Sequence, residues 1–331
     1  MIRLGLIGCG EHSENGHAIP LARYNGAHPG EIELAAACDL KPERAQYFCR
    51  AYGFQRAYTD VDEMLARQTL DGCIAVVPME RISQLGIQLL GLGIPCTVEK
   101  PLGASLTEAQ ALLDAARATR TPNMVSVNRR FMPFLNRAIE WTRSAGPLRY
   151  LRCTLTRHAR REPEFLWATA VHAIDTMRYI AGQVAEGQVA EGKIRTLRDA
   201  GGSASWYVID LRFESGMAGR IDVLPTAGML EETYELIGEG FRASVTCPFG
   251  PQRAWRGFRE NRLMMEEVAP EGSAEDVLSG CYDEAAEFIR ALAGKDVPRP
   301  SIEEVFPSVE LCLAMARNAA EDAEKLAAAK V

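Results

Sequence analysis

The stretch Leu4-Gly-Leu-Ile-Gly8-Cys9-Gly10-Glu11-His12-Ser13 decides how this chain folds. It ends an apolar run, Ile2–Ile7, on a Gly-x-Gly turn and leads into a helix. Glycines directly after a first strand let backbone amides and a helix start receive a pyrophosphate, the arrangement of a dinucleotide-binding βαβ unit. Ser13 stands where the fuller motif has a third glycine, and Gly-x-Gly alone is also an ordinary strand-to-helix turn. The next apolar run, Ile32–Cys38, favours the nucleotide reading because it ends on Asp39. An acid at that tip accepts hydrogen bonds from the ribose hydroxyls of an adenosine and repels a 2′-phosphate. Asp39 lies 29 residues beyond Gly10, against the ~20 usual for the motif, and the loop Asn25-Gly-Ala-His-Pro-Gly30 accounts for the difference. NAD is the expected cofactor, with NADP left open by Lys41 beside the same tip.

Outward from this stretch, strand patterns at Arg56–Tyr58, 72–77, 94–99 and 124–128 alternate with helical ones. Alternation of this kind predicts a parallel sheet covered by helices. The best marked helix starts at the capping box Ser105-Leu-Thr-Glu108 and ends at Thr121-Pro122. Past Asn128 the patterns become alternating, at Leu148–Thr156, Ser205–Phe213 and 218–223, which predicts a mainly antiparallel open sheet in a second, α+β domain. The fold class is α/β, a Rossmann domain over 1–122 followed by a substrate-binding and oligomerisation domain over 123–331 that closes on a helix at 302–330. Gln-Val-Ala-Glu-Gly occurs twice in tandem, at 183–187 and 188–192, and reads as a local duplication.

Composition narrows the function. Lys and Arg number 37 against 44 Asp and Glu, a net charge of −7, so no global positive field gathers nucleic acid or anionic lipid. No apolar stretch reaches the ~18 residues of a membrane span. Nine cysteines are scattered singly without a Cys-x-x-Cys pair, which predicts reduced thiols, a cytoplasmic location and no zinc site.

The strand pattern at 94–99 delivers Lys100, within Glu99-Lys100-Pro101, to the carboxyl end of the sheet, where open α/β folds bind their ligands. Together with Gly-Cys-Gly and Cys38-Asp39, that tripeptide resembles the Gfo/Idh/MocA oxidoreductases. Val77-Pro78, Asn128-Arg-Arg-Phe131 with Pro133, and Val171-His172-Ala-Ile-Asp175 are similar to further motifs of that family in the same order. So is the stretch from Gly280-Cys-Tyr-Asp-Glu through Pro298-Arg-Pro-Ser301.

The resemblance implies NAD(P)-dependent hydride transfer at a hydroxyl or keto carbon of a sugar, polyol or derivative. It implies a cofactor site from Gly8, Cys9, Gly10, Glu11, His12, Asp39, Pro78, Glu99, Lys100 and Asn128. Lys100 would polarise the reacting oxygen and His172 exchange its proton, while Asp175 caps or anchors its helix. The family's catalytic aspartate falls on Ala168, four residues before His172, so the imidazole lacks a carboxylate to orient it. Two alternatives follow: a bound, recycled NAD serving elimination, hydrolysis or epimerisation, and a non-catalytic dinucleotide sensor.

Arg129 and Arg130, with the run Arg157-His158-Ala-Arg160-Arg161, are candidates to meet an anionic part of the substrate, although arginine runs ordinarily form solvated faces. Apolar residues on both alternations, as in Trp206-Tyr-Val-Ile-Asp-Leu211 and at 221–224, predict a sheet whose second face needs cover. A homodimer, or a tetramer of two such dimers, through the 148–260 sheet is expected.

Overall fold

The computed structural model describes residues 1–162, 164–184, 187–198 and 205–328. Its contacts divide them into two compact units, Met1–Asn128 with Gly280–Pro307, and Arg129–Ser279 with the residues from Ser308 onward. The stretch 280–307 thus groups with the nucleotide-end residues, although it lies far beyond 122 in the sequence.

The first unit holds a six-stranded sheet of β1 (Ile2–Ile7), β2 (Ile32–Cys38), β3 (Arg56–Tyr58), β4 (Gly72–Ala75), β5 (Cys96–Glu99) and β6 (Asn123–Ser126). All pair in parallel in the order β3-β2-β1-β4-β5-β6, the Rossmann arrangement. β4, β5 and β6 are buried along their whole length, as strands covered on both faces should be. β4 stops at Ala75 rather than at 77, because its partner β1 ends at Ile7 and Gly8 turns away. β5 begins only at Cys96, after a proline that has no N–H for the ladder. The Ser105 hydroxyl accepts from the Glu108 amide at 3.3 Å, so the expected cap is formed, while the Glu108 carboxylate reaches back one residue further and accepts from the Ala104 amide at 2.8 Å. Helix Cys281–Gly294 packs on this unit, and Phe288 and Leu292 fill the space a side chain would need at Gly72.

The second unit is built on an eight-stranded sheet of β7 (Leu148–Thr156), β8 (Val189–Arg198), β9 (Ser205–Phe213), β10 (Ala218–Leu224), β11 (Glu231–Gly238), β12 (Phe241–Thr246), β13 (Ala254–Arg259) and β14 (Arg262–Val268). The order is β14-β13-β12-β11-β7-β10-β9-β8, antiparallel except between β7 and β10. Helices Pro133–Ala145 and Val171–Val184 pack on one face against buried Leu151, Cys153, Leu155, Ile209, Ile221, Tyr234 and Leu236.

The opposite face is mixed: Trp206, Val208, Leu197 and Leu224 stand on it, as the sequence expectation has it, but among charged pairs. Arg152 and Arg220 both reach Asp222, at 2.9 and 3.0 Å, and Arg195 reaches Asp210 at 3.5 Å. Arg242 pairs with Glu235, and Thr154 and Thr233 stand opposite each other in register. Val208 and Trp206 share this face with Asp210 and Arg212, and Asp210 stands opposite Arg220 and Lys193 in register. The tandem repeat lies partly outside the described residues, as does Lys330 of the expected last helix, which is described as Ile302–Ala328. Among the described residues no helix is long and apolar enough to cross a membrane.

Candidate active site

In the first unit the carboxyl ends of β1, β2, β4 and β5 converge on the glycine turn. Gly8 has φ of +92°, and an added Cβ would stand 1.8 Å from the Val76 carbonyl, so only glycine allows β1 and the exit of β4 to approach this closely. At Gly10 an added Cβ meets nothing within 4 Å, leaving open space in front of the turn. A cleft of about 300 Å3 lies there, lined by Gly10, His12, Ser13, Val76, Val77, Pro78, Glu99 and Lys100. Asp39 accepts the Cys9 amide at 2.8 Å and the Lys41 amide at 2.8 Å, which ties the tip of β2 to the turn. The Cys9 amide is therefore spent on Asp39 rather than turned toward a phosphate. Its thiol is pushed up by burial and by Asp39 and stays protonated.

Glu99 ends β5 as a buried carboxylate. His12 Nε2 lies 3.0 Å and His17 Nε2 2.8 Å from its Oε1, and the Lys100 amide donates to Oε2 at 3.2 Å. Burial raises the Glu99 carboxyl, but the two imidazoles outweigh it and hold it well below the usual carboxylate range. A π-helical turn, Glu14–Ala18, follows the short helix Glu11–Ser13 and carries His17 to this position. Of the predicted cofactor residues, Gly10, His12, Pro78, Glu99 and Lys100 meet at the cleft. Glu11 is exposed and absent from its lining, and Asn128 is buried at the start of the 3-10 turn Asn128–Phe131. His17, which the sequence places near the glycine turn in a structural role, does not line the cleft and reaches it only through Glu99.

The second unit gathers the other predicted residues around a different carboxylate. Glu232 of β11 is completely buried, and Arg129 grips it through Nη2 at 2.8 Å and Nε at 3.1 Å. Arg157 adds a contact at 2.6 Å and Tyr234 one at 3.2 Å, and both guanidinia lie over the Phe249 ring at 5.5 and 5.3 Å. Burial pushes the Glu232 carboxyl up, yet Arg129 and Arg157 bring it down to about 2. Arg129 Nη1 is 3.4 Å from His172 Nε2. Arg130 is taken by Asp175 at 2.8 and 2.6 Å, and Ser308 donates to the same carboxylate at 2.7 Å.

Arg129, Arg130 and Arg157 are therefore not part of a solvated face, and the bidentate edges of Arg129 and Arg130 are occupied by buried carboxylates, since a charge removed from water must be paired. His158, Arg160 and Arg161 are exposed. Asp175 anchors rather than caps, binding the 3-10 turn to helix Val171–Val184. Ala168 ends the short helix Phe165–Ala168, so it and His172 sit on two helices instead of sharing one. Glu232 escaped sequence reading altogether. The available signal was an acid on the apolar alternation, because Glu232, Tyr234 and Leu236 share the inward face of β11.

Residues 2–128 match the family model GFO_IDH_MocA, described as an oxidoreductase family with an NAD-binding Rossmann fold. Over 319 residues, 92% of this chain and 95% of the relative, it is 28% identical to 4-carboxy-2-hydroxymuconate-6-semialdehyde dehydrogenase of Sphingobium. Residues 2–128 thus match the NAD-binding Rossmann domain of the Gfo/Idh/MocA oxidoreductases. The chain is an NAD-binding oxidoreductase, as its nucleotide end indicates. Another relative is myo-inositol 2-dehydrogenase of Thermotoga maritima, 25% identical over 67% of this chain and 68% of its own length. Among solved structures, a dehydrogenase from Chromobacterium violaceum shares the fold with a TM-score of 0.84 at 20% identity, over 99% of this chain and 98% of that one.

Proposed function

We propose that this chain oxidises or reduces the carbinol or carbonyl carbon of a sugar, polyol or sugar derivative, with Lys100 and His172 serving the reacting oxygen. The observation that carries this reading is the cleft in front of Gly10, which ends on Lys100 and is joined through Cys9 to the Asp39 carboxylate. NAD, when bound, supplies the nicotinamide ring that takes or gives the hydride. Gly8 and Gly10 keep the turn open for its pyrophosphate, and Asp39 is the acceptor for the ribose hydroxyls. Lys100 and His172 between them stabilise the charge that develops on the oxygen and deal with its proton.

The inositol dehydrogenase relative supports a polyol. An aldehyde in its hydrated or hemiacetal form presents the same H–C–OH unit, so carboxylated semialdehydes belong in the same substrate screen. Absorbance at the reduced nicotinamide, followed with NAD and NADP across sugars, polyols and such semialdehydes, should reveal turnover with NAD preferred. Measurable NAD binding with no turnover on the whole panel would overturn the reading.

A homodimer, or a tetramer of two such dimers, through the 148–260 sheet is also proposed. Alternating Arg and Asp on its mixed face support it, since a two-fold copy can set opposite charges against each other. Light scattering that returned 36.4 kDa at micromolar concentration would remove it. A cytoplasmic location is supported by nine free thiols, eight of them buried.

A further inference from the structure

Thr97 stands two residues before Glu99 on β5, so the two side chains leave the strand on one face. Thr97 is only 4% exposed, and its Oγ1 meets no hydrogen-bond partner among the described residues. A buried hydroxyl left unpaired costs free energy, and an ordered water commonly completes such a group. Room for one lies beside it. A cavity of about 10 Å3 is walled by apolar Leu21, Ile74 and Phe288 and by the polar side chains of Thr97, His17 and Glu284, and one water takes about that space. Every wall belongs to the first unit.

The three polar walls offer donors and acceptors in the proportion that a water uses. Glu99 is ionised, its carboxyl held well below the usual range by His12 and His17. A carboxylate only accepts, so His17 carries a proton on the Nε2 that lies 2.8 Å from Oε1. In its neutral form the ring then has a bare, accepting Nδ1. Glu284 is buried and its Oε2 takes the Ser126 hydroxyl at 2.9 Å. A carboxylate has about four acceptor sites, so it can accept from a water as well. A water in the cavity would accept from the Thr97 hydroxyl and donate to His17 Nδ1 and to Glu284, about three bonds, which is the usual complement of a buried water.

We propose that this cavity binds one water, held by Thr97, His17 and Glu284, and that His17, fixed by this water, is a positioning residue for Glu99. A continuous hydrogen-bonded line results: His12, Glu99, His17, water, Glu284 and Ser126. It runs from the cleft to β6 and joins the nucleotide turn to helix Cys281–Gly294, a segment that the chain adds far beyond the strands it locks. The consequence for NAD rests on the reading of the cleft as the cofactor site.

Crystallography of the full chain, at a resolution that places ordered waters, tests the site. One peak is expected in the cavity, within about 2.7–3.2 Å of Thr97 Oγ1, His17 Nδ1 and a Glu284 oxygen. Thr97→Val keeps the shape and loses the hydroxyl, so the peak should vanish or fall in occupancy; Thr97→Ser should retain it. A wild-type cavity without the peak, or a water that does not reach His17, overturns the proposal.

Nuclear magnetic resonance on protein with 15N-labelled histidine reads the ring itself, with the five histidines resolved by comparison with His17→Gln. At about pH 8.5, where an ordinary imidazole is neutral, His17 should carry its proton on Nε2 and show a hydrogen-bonded Nδ1. Thr97→Val should shift the Nδ1 resonance and Thr97→Ser restore it, whereas a Thr97 that merely fills space would leave it in place. By calorimetry NAD should bind about twofold to tenfold more weakly to Thr97→Val, the worth of one net hydrogen bond, and normally to Thr97→Ser. Unchanged affinity in Thr97→Val would overturn the positioning of Glu99. Wild-type protein that binds no NAD but shows the peak and the His17 resonances would break the functional reading while supporting the water site, so the two failures are distinguishable.

Discussion

Glu99 and Glu232 are both buried carboxylates on strands, each bound by two nitrogen-bearing side chains, yet their partners differ in kind. Glu99 is held by His12 and His17, Glu232 by Arg129 and Arg157. Burial pushes both carboxyls up and the partners bring both back down. An imidazole gives up its proton near neutral pH and a guanidinium does not. The His172 region is thus built around a fixed ion cluster, and the nucleotide end around imidazoles, whose ring nitrogens can each donate or accept. A site that opens onto a cleft can exchange protons with water; a completely buried ion cluster gains only if its charges never change.

The sharpest way to break this contrast is to neutralise each acid. Glu232→Gln strands two buried guanidinia and should cost about 3–5 kcal/mol of stability. Glu99→Gln should cost only about 1–3 kcal/mol, because it weakens the hydrogen bonds to His12 and His17 but leaves no buried guanidinium without a counter-charge. Denaturant titration measures both, and a larger loss at Glu99 would end the comparison.

Lys100→Met should lower kcat/KM by about 10²–10⁴-fold while NAD binding, read by calorimetry, persists. Unchanged turnover would take the cleft out of the chemistry.

Acid then sharpens the contrast. Both carboxyls are depressed in the folded state, so each adds stability above the unfolded value and loses it as pH falls through the folded one. For Glu232 that window runs from 4.5 down to about 2. The stability gap between wild type and Glu232→Gln should therefore shrink across it, and a gap that stays constant would contradict the ion cluster.

The smallest effects separate the two imidazoles. His17, 6% exposed, should cost about 1–3 kcal/mol when changed to Ala. His12, 64% exposed, should cost less than about 1 kcal/mol. Equal costs would show that both hydrogen bonds to Glu99 are buried alike.

Much of the first unit is legible along the chain. β1, β2 and β3 fall where the apolar runs begin and end, Asp39 stands at the tip of β2, and Lys100 leaves β5 beside the glycine turn. These are local properties, because a parallel strand buried on both faces writes itself as a continuous apolar run and its ligand end follows from chain direction. The second unit is legible in class and not in detail. Its alternations announce strands, but Arg129, Arg130 and Arg157 look like surface charge, and the outer face of the sheet looks more apolar than it is.

By itself, then, the sequence determined the order of elements, the nucleotide end and the family resemblance, since periodicity, turn residues and motif spacing are all read along the chain. Only the tertiary structure decided which charges are buried. Glu232 lies 103 residues from Arg129 and 75 from Arg157, and nothing local marks an arginine whose counter-charge arrives from a strand folded on much later. Pairing across such separations is a property of the packed sheet, and it is that packing which sets a guanidinium against His172 where the family pattern leads one to expect a carboxylate.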